Sequence, residues 1–176
     1  MLAVAGVASL AGNAALADTG KLLLTGGVSS IDGAAGGGLT PWATIGTNAT
    51  DGEIGASAFV SRAVSQDYSL NVMGAALGYK DRVEVSVARQ DFDASPAIAL
   101  NGIAPFGVQP GQKIKMDILG LKLRVAGDAV LDSDTLMPQI AVGLEHKNVD
   151  PGSIGSVLKF LDAKTQDTDF YVSATK

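Results

Sequence analysis

Segments in which apolar and polar residues alternate with a period of two constrain this chain more than any other feature. In Arg82–Asp91, Val83, Val85 and Val87 point to one side of an extended backbone, and the residues between them point to the other. Similar patterns predict further strands at Lys21–Ser30, Leu39–Thr47, Glu53–Ala63, Tyr68–Lys80, Lys113–Ala126, Pro138–Lys147 and Asp169–Thr175. We therefore predict an all-β fold, an antiparallel up-and-down meander of about eight strands.

The predicted strands are long for a soluble protein. Most have about 9–11 residues, the length that crosses a bilayer when a strand is tilted, whereas soluble strands average about five or six. Mean hydropathy is +0.26, and charged residues make up only 18% of the chain. No apolar run is long enough for a transmembrane helix. These features favour an outer-membrane β-barrel.

Composition excludes several other classes of protein. Hydrophobic residues make up 47% of the chain, which is too high for intrinsic disorder, and the enrichment in Glu, Lys and Leu that is typical of a coiled coil is absent. A net charge of −5 argues against nucleic acid as a partner. Because the chain has no cysteine, it has no disulfide framework, Cys-ligated zinc site or thiol nucleophile.

Within Lys113–Ala126 the apolar residues change from one face to the other. They occupy even-numbered positions up to Ile118 and odd-numbered positions from Leu119 onward. Gly120 lies at the change, and glycine is well suited to a β-bulge. The pattern therefore predicts a β-bulge near Gly120.

The connections between strands differ in length according to their side of the sheet. Alternate connections are long at Phe92–Gln112 and Asn148–Thr168, whereas Lys80–Asp81 is a tight turn. Long external loops and short periplasmic turns are typical of outer-membrane barrels. The apolar Phe92–Gln112 loop either folds inward as a plug, contacts a partner, or forms an external lid packed on itself. Gly155–Lys164 is predicted to be a short helix that packs its loop against the barrel rim.

The N-terminal segment is predicted to be an export signal. Residues Met1–Gly12 are small, apolar and uncharged, and Ala15–Ala17 has the small-x-small pattern that signal peptidase recognises. We therefore predict a signal peptide over residues 1–17, cleavage before Asp18, and a β-barrel domain over residues 18–176. One element of a signal peptide is missing, since no basic residue precedes the apolar run. A buried N-terminal helix is the alternative.

The sequence contains no recognisable catalytic or metal-binding motif. His146 is the only histidine, and without a GxSxG or HExxH motif we interpret it as an interfacial residue without function. Asp132–Asp134 lacks the other ligands of a calcium loop and is predicted to be a turn. Gly33–Gly38 lacks the spacing of a nucleotide-binding loop and is predicted to be a flexible loop tip. Asn48–Thr50 is interpreted as a chance match to a glycosylation sequon. We expect no enzyme activity and no cofactor.

Polar residues opposite the apolar faces are the candidate functional residues. In a barrel they either form a packed charged network or line an aqueous path. These possible lumen-lining residues are Arg62, Asn71, Arg82, Glu84, Lys122, Arg124, Gln139 and Glu145. Aromatic residues that fall near predicted strand ends, as in a sparse membrane girdle, are Trp42, Tyr68, Tyr79, Phe92, Phe170 and Tyr171.

Three stretches of the chain resemble a known protein family. Thr19–Thr47 (TGKLLLTGGVSSIDGAAGGGLTPWATIGT) is similar to the N-terminal block of the proteobacterial family DUF3034. Tyr79–Asp93 (YKDRVEVSVARQDFD) and Thr168–Lys176 (TDFYVSATK) are similar to its internal blocks. The resemblance implies an exported, outer-membrane β-barrel-like protein with no assigned activity. It also implies a fragment, because family members are longer.

We therefore expect the N-terminal part of an outer-membrane barrel with porin-like solute passage and no catalytic chemistry. Its expected partners are outer-membrane lipid and the barrel-assembly machinery. The alternatives are a surface structural or binding protein that uses its long loops, a barrel enzyme that acts on lipids, and a soluble secreted β-sandwich. Because the alternation in Phe170–Lys176 stops in mid-pattern, we expect the reading frame to continue with further hairpins and an aromatic last residue.

Overall fold

The computed structural model of the protein describes residues 29–46, 54–127 and 136–176. Its strands are β1 (Ile54–Val64), β2 (Ser69–Tyr79), β3 (Val83–Asp93), β4 (Lys113–Ala126), β5 (Gln139–Asp150) and β6 (Gln166–Thr175). They form one antiparallel sheet in which every strand pairs with the next along the chain, so the predicted all-β meander is confirmed. Among these strands the sheet is open rather than closed into a barrel, with β1 and β6 at its edges.

One predicted strand within the described residues is wrong. Leu39–Thr47 is not a strand, because residues 39–46 form bends and isolated bridges. The remaining predicted strands agree with β1–β6 to within a few residues. Four predictions lie wholly or mostly outside the described residues: the signal peptide over residues 1–17, the strand Lys21–Ser30, the Asn48–Thr50 sequon and the Asp132–Asp134 turn.

Residues that pair directly across the strands form rows, and successive rows alternate between the two faces of the sheet. We call the face that carries Val85 and Leu121 the outer face, and the face that carries Glu84 and Lys122 the inner face. Row 1 of the outer face is Ile54, Tyr79, Val83, Leu123, Val142 and Val172, and row 2 is Ala56, Leu77, Val85, Leu121, Leu144 and Phe170. Both rows carry apolar or aromatic side chains on every strand.

The border between apolar and polar residues on the outer face crosses the rows obliquely. Row 3 is Ala58, Ala75, Val87, Leu119, His146 and Thr168, and row 4 is Val60, Met73, Arg89, Asp117, Asn148 and Gln166. The apolar residues therefore reach row 4 on β1 and β2, row 3 on β3 and β4, and only row 2 on β5 and β6. Beyond this border the outer face is polar except at Val64, the last residue of β1.

In β4 the apolar residues change faces without a bulge at Gly120, so the predicted bulge is wrong. The register between β3 and β4 is continuous from Lys113 to Leu123, and the register shift between β4 and β5 falls between Arg124 and Ala126. The physical reason is the oblique border. Each face of β4 passes from one environment to another along the strand, so the residue type changes while the backbone stays regular.

The two long connections pack against each other at one end of the sheet. Ser95–Gly102 and Gly152–Ile154 form 3₁₀-helices, and Gly155–Phe160 forms helix α1, which confirms the first part of the predicted helix. Their shared apolar core contains Val108, Ile154 and Val157, surrounded by Ala97, Leu100, Phe106, Ile114 and Leu158. Of the three interpretations of Phe92–Gln112, this packing supports the lid.

Close packing between β1 and β2 depends on Gly74, which faces the ring of Phe59. A Cβ atom at position 74 would lie 2.5 Å from Phe59 Cε1 and 2.7 Å from the carbonyl oxygen of Val87. We expect Gly74→Ala to lower the free energy of unfolding by about 1–3 kcal/mol, the usual cost of overpacking. Chemical denaturation measures this change.

Two further variants make the test specific. Gly102→Ala is the control, because a Cβ atom there has nothing within 4 Å and should leave stability unchanged. Phe59→Leu combined with Gly74→Ala should recover part of the loss, because the smaller side chain relieves the clash. Wild-type stability of Gly74→Ala alone would contradict close packing between Gly74 and Phe59.

Candidate functional site

Glu84 and Lys122 form a buried ion pair on the inner face. They are directly paired residues of β3 and β4, and Glu84 Oε1 lies 3.0 Å from Lys122 Nζ. Both residues are only 1% exposed. Their row also contains Gly55, Gly78 and Gly143, and the ring of Tyr171 lies over Gly143. A buried ion pair of this kind requires further hydrogen bonds to offset its desolvation.

Residues 29–46 supply those hydrogen bonds. The backbone N–H groups of Ala35 and Gly46 donate to Glu84 Oε1 and Oε2 at 2.9 and 2.7 Å. Lys122 Nζ donates to the carbonyl oxygen of Ala35 at 3.1 Å. The ion pair therefore binds the backbone of this segment at three points and holds it against the inner face.

Glycines allow the segment to approach the sheet closely. Gly33 has a φ of +101°, and a Cβ atom there would lie 3.1 Å from Ala88 Cβ on β3. A Cβ atom at Gly46 would lie 2.5 Å from Ala35 Cβ. Of the predicted loop tip Gly33–Gly38, residues 33–36 are therefore buried against the strands, whereas Gly37 is exposed and Gly38 is partly exposed.

A second charged cluster surrounds Lys147 of β5. Its Nζ lies 3.0 Å from Asp169 Oδ2 and 3.3 Å from Glu145 Oε2, both on the same face of the sheet. Asp32 Oδ2, from the segment, lies 3.2 Å from the same nitrogen. The other oxygen of Asp32 accepts a hydrogen bond from Gln90 Nε2 at 2.8 Å. This cluster is the second anchor of residues 29–46.

Two further contacts complete the polar inner face. Arg124 NH1 lies 3.0 Å from Asp81 Oδ2, and both side chains are buried, so this pair ties β4 to the β2–β3 turn. At the other side of the sheet the backbone N–H of Ala43 donates to Thr175 Oγ1 of β6 at 2.9 Å. Residues 29–46 thus contact strands from β3 to β6.

Several buried polar atoms lack a hydrogen-bond partner among the described residues. They include Ser30 Oγ and Thr44 Oγ1 of the segment, and Gln139 Oε1, Glu145 Oε1 and Ser173 Oγ of the inner face. Buried polar atoms of this kind are normally satisfied by water. The space between the segment and the sheet therefore has the chemistry of a hydrated interior.

Most of the residues proposed to line a lumen come together on the inner face. Glu84, Lys122, Arg124, Gln139 and Glu145 all lie there and all are buried. Their positions follow from the alternation in β3, β4 and β5, which is regular where the outer face is apolar.

The other three proposed residues lie elsewhere. Arg82 is exposed in the β2–β3 turn, and Arg62 and Asn71 pair with each other on the outer face, so their placement beside Glu84 is wrong. Arg62 and Asn71 lie beyond the oblique border, where the outer face is polar and the inner face of β2 carries Leu70 and Val72.

Sequence reasoning also missed three charged residues of the site. Lys147 shares the alternation of Glu145, and Asp169 pairs directly with Glu145, so the period-two pattern contained a signal for both. Asp32 belongs to an irregular, glycine-rich segment, and no periodicity indicates which strand residues it meets.

The other candidate residues have simpler surroundings. His146 lies exposed on the outer face, with Nδ1 2.9 Å from Thr168 Oγ1. Of the aromatic residues, Tyr79 and Phe170 are exposed on the outer face, whereas Tyr171 lies on the inner face beside Gly143.

Within the described ranges, no three metal-ligating side chains cluster together. Over the same ranges, no helix has the length and apolar composition needed to span a membrane.

The buried ion pair is expected to behave differently from an exposed one. Glu84→Gln and Lys122→Met should each lower the free energy of unfolding by about 3–5 kcal/mol, because each leaves a buried partner uncompensated. The double variant should cost clearly less than the two single changes together. Denaturant titration of all four proteins measures the coupling.

The control is the exposed pair of Arg89 and Asp117 on the outer face, whose nitrogen and oxygen lie 2.7 Å apart. Because water screens this pair, Arg89→Gln and Asp117→Asn should change stability little. Strict additivity of the Glu84 and Lys122 variants would show that the buried pair is not a coupled unit.

Comparison with protein-family models matches residues 25–176 to the family described as protein of unknown function (DUF3034). The matched range includes the glycine-rich segment, the complete sheet and both long loops. A search of curated proteins and a search of solved structures found no match.

Proposed function

The chain belongs to the DUF3034 family of proteins of unknown function, and we propose that it is an outer-membrane β-barrel protein. In this proposal the outer face contacts lipid, and the polar interior provides a path for small hydrophilic solutes without catalytic chemistry. β-Barrels with an apolar exterior are typical of outer membranes. The export signal predicted over residues 1–17 agrees with that location.

The observation that carries the proposal is that the sheet exposes its apolar face and buries its charged face. Phe170 is 79% exposed on the outer face, whereas Glu84 and Lys122 are 1% exposed on the inner face. Soluble proteins rarely expose contiguous apolar patches larger than a few hundred Å², yet rows 1 and 2 are apolar or aromatic across the whole sheet. Lipid contact makes the same arrangement favourable.

The oblique border on the outer face supports a tilted orientation in a bilayer. Neighbouring strands lie about 4.8 Å apart, and successive rows of one face lie about 6.7 Å apart along the strands. Because the border moves by one row for every two strands, it makes an angle of about 35° with the rows. Strands of outer-membrane barrels tilt by about 35–45° from the membrane normal, so a membrane surface would cross this sheet along such a line.

The single sheet argues against the soluble β-sandwich. In a sandwich, the apolar faces that contain Val85 and Val142 would meet as two layers, but both residues lie on the same face of one sheet. The membrane proposal in turn requires partners for the edges of β1 and β6, because each unpaired backbone group in hydrocarbon costs several kcal/mol. Those edges would pair with each other or with further strands.

The chemistry of the interior supports solute passage. The inner face carries both signs of charge, and several buried polar atoms there have no hydrogen-bond partner in the described part of the chain, where water can bind them. Small hydrophilic solutes and ions therefore fit this interior better than apolar molecules do.

Substitutions at two equally exposed valines distinguish a membrane-embedded sheet from a soluble one. Val85 and Val64 lie on the outer face and are both 43% exposed, but Val85 is in row 2 and Val64 is beyond the oblique border. We expect Val85→Arg to impair insertion by about 2–4 kcal/mol, the cost of arginine near the bilayer midplane. Val64→Arg should be tolerated.

Folding of both variants into lipid vesicles, followed by protease protection and heat-modifiable gel migration, measures the difference. In water the two substitutions should be equally harmless, because both side chains are equally exposed. Equal insertion of Val85→Arg and Val64→Arg would contradict lipid contact at row 2.

A further inference from the structure

We propose that residues 29–46 are a displaceable plug that closes the path through the barrel interior. This inference rests on the proposed function, because a plug has meaning only where the inner face lines a path. It assigns to the glycine-rich segment a gating role: the segment occupies the polar interior in the closed state and leaves it in the open state.

The segment lies on the charged inner face and is itself largely buried there. Ala35 and Ala43 are buried, as are Ser30 and Ile45, although none of residues 29–46 belongs to a strand of the sheet. Its burial comes from lying on β3 to β6, through the contacts to Glu84, Lys122, Lys147 and Thr175 described above. While it occupies this position, the polar side chains of the inner face do not face an open passage.

The contacts that hold the segment are of a kind that water can replace. The directional contacts are hydrogen bonds and one ion pair, whose net stability is small when both partners can return to water. The buried apolar side chains of the segment are small, except for Ile45. Asp32 is the only charged residue among residues 29–46. One carboxylate therefore provides the single ionic anchor of the segment.

The strands retain their own charge pairing when the segment leaves. Lys122 keeps Glu84 as a partner at 3.0 Å, and Lys147 keeps Asp169 and Glu145 at 3.0 and 3.3 Å. No buried charge of these clusters is left alone in either state. Water that enters the vacated interior can replace the hydrogen bonds that the segment makes with Glu84 and Lys122. The sheet can therefore exist with and without the segment in place, which is what a two-state gate requires.

Charge reversal at the anchor tests the gate. Asp32→Lys places a second ammonium group beside Lys147, where the wild-type carboxylate oxygen lies at 3.2 Å. All strand residues stay native in this variant. In planar bilayers we expect the full-length wild-type chain to be mostly closed, and Asp32→Lys to raise the open probability by about tenfold or more, as loss of a charge-assisted contact implies. Asp67→Lys, in the exposed β1–β2 turn, makes the same charge change and should leave conductance unchanged.

A reversible lock tests the same gate independently of charge. Because the chain has no cysteine, Asp32→Cys combined with Gln90→Cys introduces the only thiols, at side chains whose polar atoms meet at 2.8 Å. A short, cleavable thiol cross-linker should close the double variant, and cleavage should restore its conductance. Each single variant treated in the same way should not respond.

The outcomes separate the plug from the barrel. Inserted protein whose conductance is the same in Asp32→Lys, wild type, and the cross-linked double variant would overturn the plug and leave the membrane proposal standing. Failure of the wild-type chain to insert into vesicles would overturn the proposed function, and the plug with it. If Asp32→Lys does not fold, the cross-linked double variant still decides the question.

Discussion

The buried ion pair between Glu84 and Lys122 is the interaction on which the rest of the structure depends. Two charges that leave water must be compensated by other polar groups, and the backbone of residues 29–46 provides that compensation at three points. Because this polar assembly occupies the covered face, the valines and leucines of the same strands lie on the other face. The sheet is thus inverted relative to a soluble one, in which apolar residues meet inside and polar residues face water.

At the two ends of the sheet the apolar residues occupy opposite faces, because the oblique border lies between these ends. On β4 the inner face changes from Ile114 and Ile118 to Lys122, while the outer face changes from Asp117 to Leu121. The backbone stays regular at Gly120, because what changes there is the environment of each face and not the pleat of the strand. The positions at which the strands make this change lie on a line at about 35° to the rows, which is close to the tilt of strands in outer-membrane barrels.

Alternation in the sequence assigned side chains to the correct face where that face is uniformly polar or apolar along the strand. It assigned them to the wrong face beyond the oblique border, where the polar and apolar faces exchange. Alternation located β1 to β6 and placed Glu84, Lys122 and Glu145 on one side, because side chains in a strand must alternate. The same rule misplaced Arg62 and Asn71, which lie past the border, and it turned Leu39–Thr47 into a strand. In that segment, backbone N–H groups donate to side chains of the sheet instead of to a neighbouring strand.

The sequence by itself determined the strands, the meander and the chemical difference between the two faces, because these follow from local geometry and from period-two patterning. Only the tertiary structure decided which face is covered and what covers it. Asp32 meets Lys147, and Gly46 meets Glu84, across long stretches of chain with no periodicity to connect them. Such contacts form because buried charges must be paired with polar groups, and tertiary folding determines which polar groups lie near them. Alternation along a single strand contains no information about these partners.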